Sequence, residues 1–229
     1  LQAPAWIAAI AVCGPDSQIG GGGQGKTKEH STVTSTSQFV DFSITVCGVA
    51  ELESHSTRGI THVLSILDPG FPDPDAFGAF GEHERLDLRF HDIVDAQPGL
   101  RLAQTEDVEM LLRFGRDLMR EKGAHLLVHC HMGVSRSTAA MALILAQARR
   151  DRPALEALAE VRRIRPRIWP NLRVIELGDA LLGRGGDLVD AAIARYRHVI
   201  GRRPEVGEMM REAGRGREVS MALARASTS

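Results

Sequence analysis

The 229-residue sequence predicts an α/β fold with a mainly parallel central sheet flanked by helices. Three observations predict it. Apolar runs of strand length alternate with longer stretches of helical periodicity. Glycine, proline and aspartate punctuate the joins. The pattern extends over roughly 160 residues, the size of one ordinary domain with a substantial core. Residues 41–200 are therefore read as the domain, 1–40 as a flexible leader and 201–229 as a loosely ordered tail.

Taken in order, Ile44-Thr45-Val46-Cys47-Gly48 reads as a strand and residues 50–58 as a short helix. Gly59 turns the chain into a second strand ending at Leu67, closed by Asp68-Pro69-Gly70. The Gly, Pro and Phe content of residues 68–84 predicts an irregular excursion. Leu86-Asp87-Leu88-Arg89-Phe90 alternates as a strand does. A helix follows, with Thr105 as N-cap, Glu106 and Asp107 in its first turn and Gly123 at its end. Val108, Leu111, Leu112, Leu118 and Met119 share one of its faces. Leu126-Leu127-Val128 is a buried strand, and the Ala/Leu/Ile/Met run of residues 138–147 is a buried helix. Pro153 opens another helix through Arg163, and residues 174–182 and 188–200 form two more, broken by Gly183, Gly185 and Gly186.

Between the buried strand and the buried helix lies His129-Cys130-His131-Met132-Gly133-Val134-Ser135-Arg136-Ser137. A strand, a tight loop with central glycine and a helix N-terminus form an anion cradle, because backbone N–H groups converge and the helix dipole favours negative charge. The same environment favours a cysteine thiolate, which makes Cys130 a candidate nucleophile. Arg136 offers a planar fork that holds two phosphate oxygens, which lysine cannot do. The backbone of His131, Met132, Gly133, Val134, Ser135 and Arg136 is placed to bind the oxygens of a phosphoryl group. Ser137 is placed to hydrogen-bond the sulfur. No metal or cofactor is needed for this chemistry.

This stretch resembles the signature of the cysteine-dependent protein phosphatases, specifically the dual-specificity branch, with its His-Cys, central Gly and Ser-Arg-Ser ending. The resemblance implies that Cys130 is the nucleophile, Arg136 the phosphate-binding arginine and Ser137 the hydroxyl that assists the leaving step. It implies that His129 orients the loop. The Gly-Ile-Thr-His-Val run from Gly59 is similar to an early strand of the same family. Arg165-Pro166-Arg167-Ile168-Trp169-Pro170-Asn171 resembles its Arg-Pro…Pro-Asn segment. The family places a general acid just past a strand upstream of the nucleophile, which implies Asp92, with Asp95 as its competitor. The activity implied is hydrolysis of phosphotyrosine, and of phosphoserine or phosphothreonine, through a phosphocysteine intermediate. Phosphoinositide-directed members tend to carry lysines in the loop; this loop has none, which favours a protein or other singly phosphorylated substrate. A rhodanese-like sulfurtransferase and a non-catalytic phosphate-binding module are the alternatives. The Ser-Arg-Ser ending with an upstream acid argues against the first, and the presence of both Cys130 and Arg136 against the second.

A formal net charge of −1 points to neither nucleic acid nor a membrane surface as partner. Three cysteines give no disulfide framework, which suits a reducing cytoplasm. Arginine outnumbers lysine, present only at Lys26, Lys28 and Lys122, a bias associated with GC-rich bacterial sequences. Residues 20–27 match a nucleotide-binding loop formally. A Ser/Thr-rich stretch follows where a helix should start, so they are read as leader.

Overall fold

The computed structural model describes residues 39–224; the leader and its glycine-rich segment lie outside them through Gln38. Four strands form one sheet: β1 (Ser43–Gly48), β2 (His62–Leu67), β3 (Glu84–Arg89) and β4 (His125–Cys130). Their order is β1-β4-β2-β3, and every adjacent pair is parallel. The sheet is thus wholly parallel, and the sequence expectation of an α/β fold with flanking helices holds. β4 lies inside it with Leu126, Leu127 and Val128 fully buried, as a strand covered on both faces requires.

Alternation along the strands divides the core. Val46, Leu64, Ile66, Leu88, Leu126 and Val128 join the larger cluster with the α-helices. Cys47, Val63 and Leu127 join a smaller one with Leu52, Ile60, Phe77 and Phe80. Seven α-helices follow among the described residues: α1 (Thr105–Leu118), α2 (Arg136–Ala148), α3 (Ala154–Ile164), α4 (Leu172–Leu182), α5 (Asp187–Arg202), α6 (Pro204–Glu212) and α7 (Gly216–Ala224). Every residue of α2 from Arg136 to Ala146 is buried, because this helix packs on the sheet and on α1, α3 and α4 together. Its Ala-rich sequence allows that close approach. The stretch expected as a short helix after β1 is a 3-10 turn, Val49–His55, and Gln104 rather than Thr105 caps α1.

The C-terminal region differs from expectation. Residues 204–224 are two helices, not a loosely ordered tail. α6 buries Val206 and Met210 four positions apart, and α7 buries Val219 and Ala222. Pro204 at the first helical position starts α6. Periodicity missed this because much of what the segment buries is charged: Arg215 and Glu218 are among the most enclosed residues of the protein.

Candidate active site

The Cys130–Arg136 loop leaves the C-terminal end of β4 and enters α2. Gly133 has φ +67°, and a Cβ there would lie 2.5 Å from the carbonyl carbon of Cys47. Only glycine allows both that conformation and the close approach to β1. Gly48 accepts the return contact: a Cβ on it would meet the His131 carbonyl at 2.9 Å.

All five carbonyls between His131 and Ser135 are hydrogen-bonded by neighbouring elements. The Val49 N–H donates to His131 O at 3.0 Å and the Trp169 N–H to Val134 O at 2.9 Å. Ser135 O accepts from the N–H groups of Ala139 and Asn171. Arg165 donates from Nη2 to Met132 O at 3.0 Å and from Nε to Gly133 O at 3.1 Å, while its Nη1 pairs with Glu51 at 2.8 Å. Among the described residues, none of the backbone N–H groups of His131 to Ser135 donates to a protein acceptor. Carbonyls are therefore committed to the scaffold and donors remain for a ligand, the arrangement an oxyanion needs.

The side chains named from the sequence fall as follows. Cys130 is buried, and its Sγ lies 3.2 Å from Ser137 Oγ. Arg136 is also buried; its Nη1 donates to Asp68 Oδ1 at 2.7 Å and to Phe90 O at 2.6 Å, and its Nε has no acceptor. His129 is enclosed beside Phe77. Burial, reinforced by Arg85, pushes its pKa down to about 3, so the ring is neutral. Met132 packs against the larger core, and Val134 belongs to it.

Asp92 accepts on Oδ1 from Ser135 Oγ (2.7 Å), Asn171 Nδ2 (2.8 Å) and Arg215 Nη1 (3.1 Å). Burial alone would raise its pKa, but Arg215, Arg136 and the Asn171 and Ser135 hydrogen bonds hold it below the ordinary carboxylate range. Asp95 has a different partner, an ion pair with Arg217 of α7 at 2.7 Å. The two carboxylates left open by the sequence are thus distinguished: Asp92 joins the loop through Ser135, and Asp95 joins the C-terminal arm.

Two contributors escaped the sequence reading. Asp68, read only as part of a turn, pairs with Arg136 and has its backbone N–H directed at His131 Nε2 at 3.3 Å. Burial would raise its pKa; His131 and Arg136 outweigh this and bring it down to about 2. No local signal marks it, since its partners lie more than 60 positions away. The other is Arg215, which donates from Nη1 to both Asp92 and Ser135 and from Nε and Nη2 to Glu218. Glu218 also accepts from Trp169 Nε1 and from the Leu172 N–H. The arm thereby braces the loop and the Trp169–Asn171 segment at once.

No protein-family model matches the chain, and no curated protein matches it. Among solved structures it is similar to Tk-PTP in the active form, with 24% identity, 63% of this chain and 92% of that chain covered, and a TM-score of 0.45. It is also similar to human DUSP28, at 18% identity, 62% and 94% coverage and a TM-score of 0.47. PTPMT1 in complex with PI(5)P aligns at 15% identity, 62% and 91% coverage and a TM-score of 0.45. At this degree of likeness, chemistry has to be read from this chain's own side chains. Among the described residues, no helix is long and apolar enough to cross a membrane.

Proposed function

We propose that this chain is a cysteine-dependent phosphatase that hydrolyses phosphomonoesters, phosphotyrosine foremost, through a phosphocysteine intermediate. The observation that carries the reading is the loop itself. Its carbonyls are all bonded outward, its N–H groups are uncommitted, Cys130 stands at its start and Arg136 at its end. Such a loop holds the three non-bridging oxygens of a phosphoryl group, where transition-state charge spreads. The Cys130 thiolate attacks phosphorus, the bond to the leaving oxygen breaks, and that oxygen takes a proton from a carboxylic acid. Water then displaces the sulfur, and the Ser137 hydroxyl, 3.2 Å away, donates a hydrogen bond to the departing thiolate. Serine or threonine phosphates are further substrates in this reading. The absence of lysine from residues 129–137 favours a singly phosphorylated group.

The acid is assigned to Asp92. Its Oδ1 is anchored, leaving Oδ2 to carry the proton, and a bound dianion beside Arg136 raises the carboxyl pKa by like-charge repulsion. Asp68 is the rival favoured by a specific observation, since phosphate competes for its partner Arg136 and would leave its carboxyl beside a dianion. Leaving-group dependence separates them. Asp92→Asn should slow hydrolysis of phenyl phosphates by about 10²–10⁴-fold and hardly affect esters with very acidic leaving groups. The same signature in Asp68→Asn alone reassigns the acid.

The central experiment is turnover of a phosphopeptide panel in EDTA with a denaturing quench. Wild type should hydrolyse the peptides and carry covalent phosphate on Cys130, and Cys130→Ser should do neither. Full activity in Cys130→Ser, or turnover only of thiosulfate with cyanide, removes the phosphatase reading.

A further inference from the structure

We propose that His62, Glu84 and Glu121 form a binding site for a divalent transition-metal ion, best suited to Zn²⁺, at the edge of the sheet opposite Cys130. His62 and Glu84 are the first residues of β2 and β3 and face each other in register. Cys130 is the last residue of parallel β4, so the two sites lie at opposite strand ends. Glu121 follows α1, its N–H closing the turn onto Leu118 O at 3.0 Å. Three segments distant in sequence therefore converge on one point.

His62 supplies the observation that separates this cluster from an ordinary pair of surface acids. Its side chain is only 2% exposed, and its Nε2 is buried without a hydrogen-bond partner. That nitrogen faces Glu121 Oε1 at 3.4 Å and Glu84 Oε2 at 3.8 Å, and the three candidate ligand atoms all lie within 4.8 Å of one another. A tetrahedral zinc with bonds of ~2.0–2.2 Å to nitrogen and oxygen spaces its ligands ~3.4 Å apart. The two glutamates are exposed, at 68% and 51%, and need only small rotations to reach that spacing.

The surroundings also fix the ring as a metal ligand requires. Nδ1 lies 2.8 Å from Thr61 Oγ1, which accepts from the His125 N–H at 2.9 Å and is within 3.4 Å of the His125 carbonyl. With the hydroxyl proton directed at that carbonyl, Oγ1 accepts from Nδ1–H, and Nε2 is left with a lone pair. A hydroxyl that accepts from the far ring nitrogen in this way orients a ligating histidine and sets its tautomer. Phe114 of α1 packs edge-on against the imidazole at 5.7 Å and restricts its rotation. One nitrogen and two carboxylate oxygens form a borderline donor set that suits zinc better than the all-oxygen preference of magnesium or calcium. Three protein ligands leave a position for water. The ion would tie the end of α1 to the starts of β2 and β3; it takes no part in the thiolate chemistry.

Cobalt(II) added to the full-length chain is the test, followed by visible absorption and by displacement with zinc. Wild type should take up one ion with the intense d–d bands of a four-coordinate N/O site. Zinc at a hundredfold excess over its Kd should raise Tm by about 5–10 °C. Glu84→Gln with Glu121→Gln, both at exposed positions, should lose the bands and the Tm shift while leaving metal-free phosphatase turnover unchanged. A near-ultraviolet sulfur-to-cobalt band marks ions on thiolates and is counted separately. Absence of the d–d bands in wild type, or their survival in the double variant, overturns the proposal.

Discussion

Two buried arginines meet the same loop, and they differ in how fully they are bonded. Arg215, at 1% exposure, has Nε, Nη1 and Nη2 all directed at acceptors: Glu218, Asp92 and the Ser135 hydroxyl. Arg136, at 3%, has Nη1 on Asp68 and Phe90 O, and its Nε has none. A buried donor without a partner is costly, and native structures tolerate few of them. The saturated arginine belongs to the scaffold. The incompletely bonded one keeps its Nε–H unmatched, and in the proposed reaction that donor serves a phosphate oxygen.

Stability should respond most at the saturated arginine. Arg215→Met leaves Glu218 and Asp92 buried without their cation, and should destabilise the fold by about 3–5 kcal/mol in urea melts. Adding Glu218→Leu should recover part of this. The remainder reflects Asp92, still without Arg215, and Trp169 Nε1 and the Leu172 N–H, left without an acceptor at about 1–3 kcal/mol each. If Arg215→Met melts like wild type, the contrast between the two arginines fails.

Activity should respond at the other. Arg136→Lys keeps the charge and loses the fork, and should cut kcat/KM by about 10²–10³-fold, the scale of losing one oxyanion donor. Its melting midpoint should move far less than that of Arg215→Met. Near-normal turnover in Arg136→Lys would show that a point charge suffices and would break the comparison from the other side.

Acid sharpens it more gently. The Asp68 pKa is depressed from 3.8 to about 2, so the stability it contributes is complete above pH 3.8 and lost as pH falls toward 2. Asp68→Asn should therefore differ from wild type at neutral pH and converge with it across that window. Solvent reaches this carboxylate, so screening limits the difference to under about 1 kcal/mol. A gap between the two proteins that stays constant through the window excludes ionic pairing with Arg136 as its source.

The parts of the site legible in sequence are those whose partners are neighbours in the chain. Cys130, Arg136 and Ser137 share one strand–loop–helix unit, and the contact of sulfur with the Ser137 hydroxyl is made within it. The strands were legible because β2 and β4 are buried on both faces and read as continuous apolar runs. Asp68 was not, because nothing near it in sequence shows that Arg136 folds back against it. The C-terminal arm was hidden for a different reason. Hydrophobic periodicity counts Arg215 and Glu218 as solvent-facing, whereas they neutralise each other inside the core. Asn171 was read as part of a family-like segment, yet its working contacts, to Asp92 Oδ1, Ile93 O and the Val174 N–H, become visible only in three dimensions.

The strand order has a consequence for how the molecule is made. β1 and β2 both pair with β4 and never with each other. During synthesis the first two strands thus emerge with the strand that joins them still unmade, and β1 stays without a partner until residues 125–130 have left the ribosome. The loop's last braces come later still, from Arg165, Trp169 and finally Arg215. Such long-range closures make folding slow relative to helix formation. They also time it: the loop acquires its finished surroundings only after Arg215 has been made, so a product terminated before that residue carries the Cys130 thiol without the completed cradle.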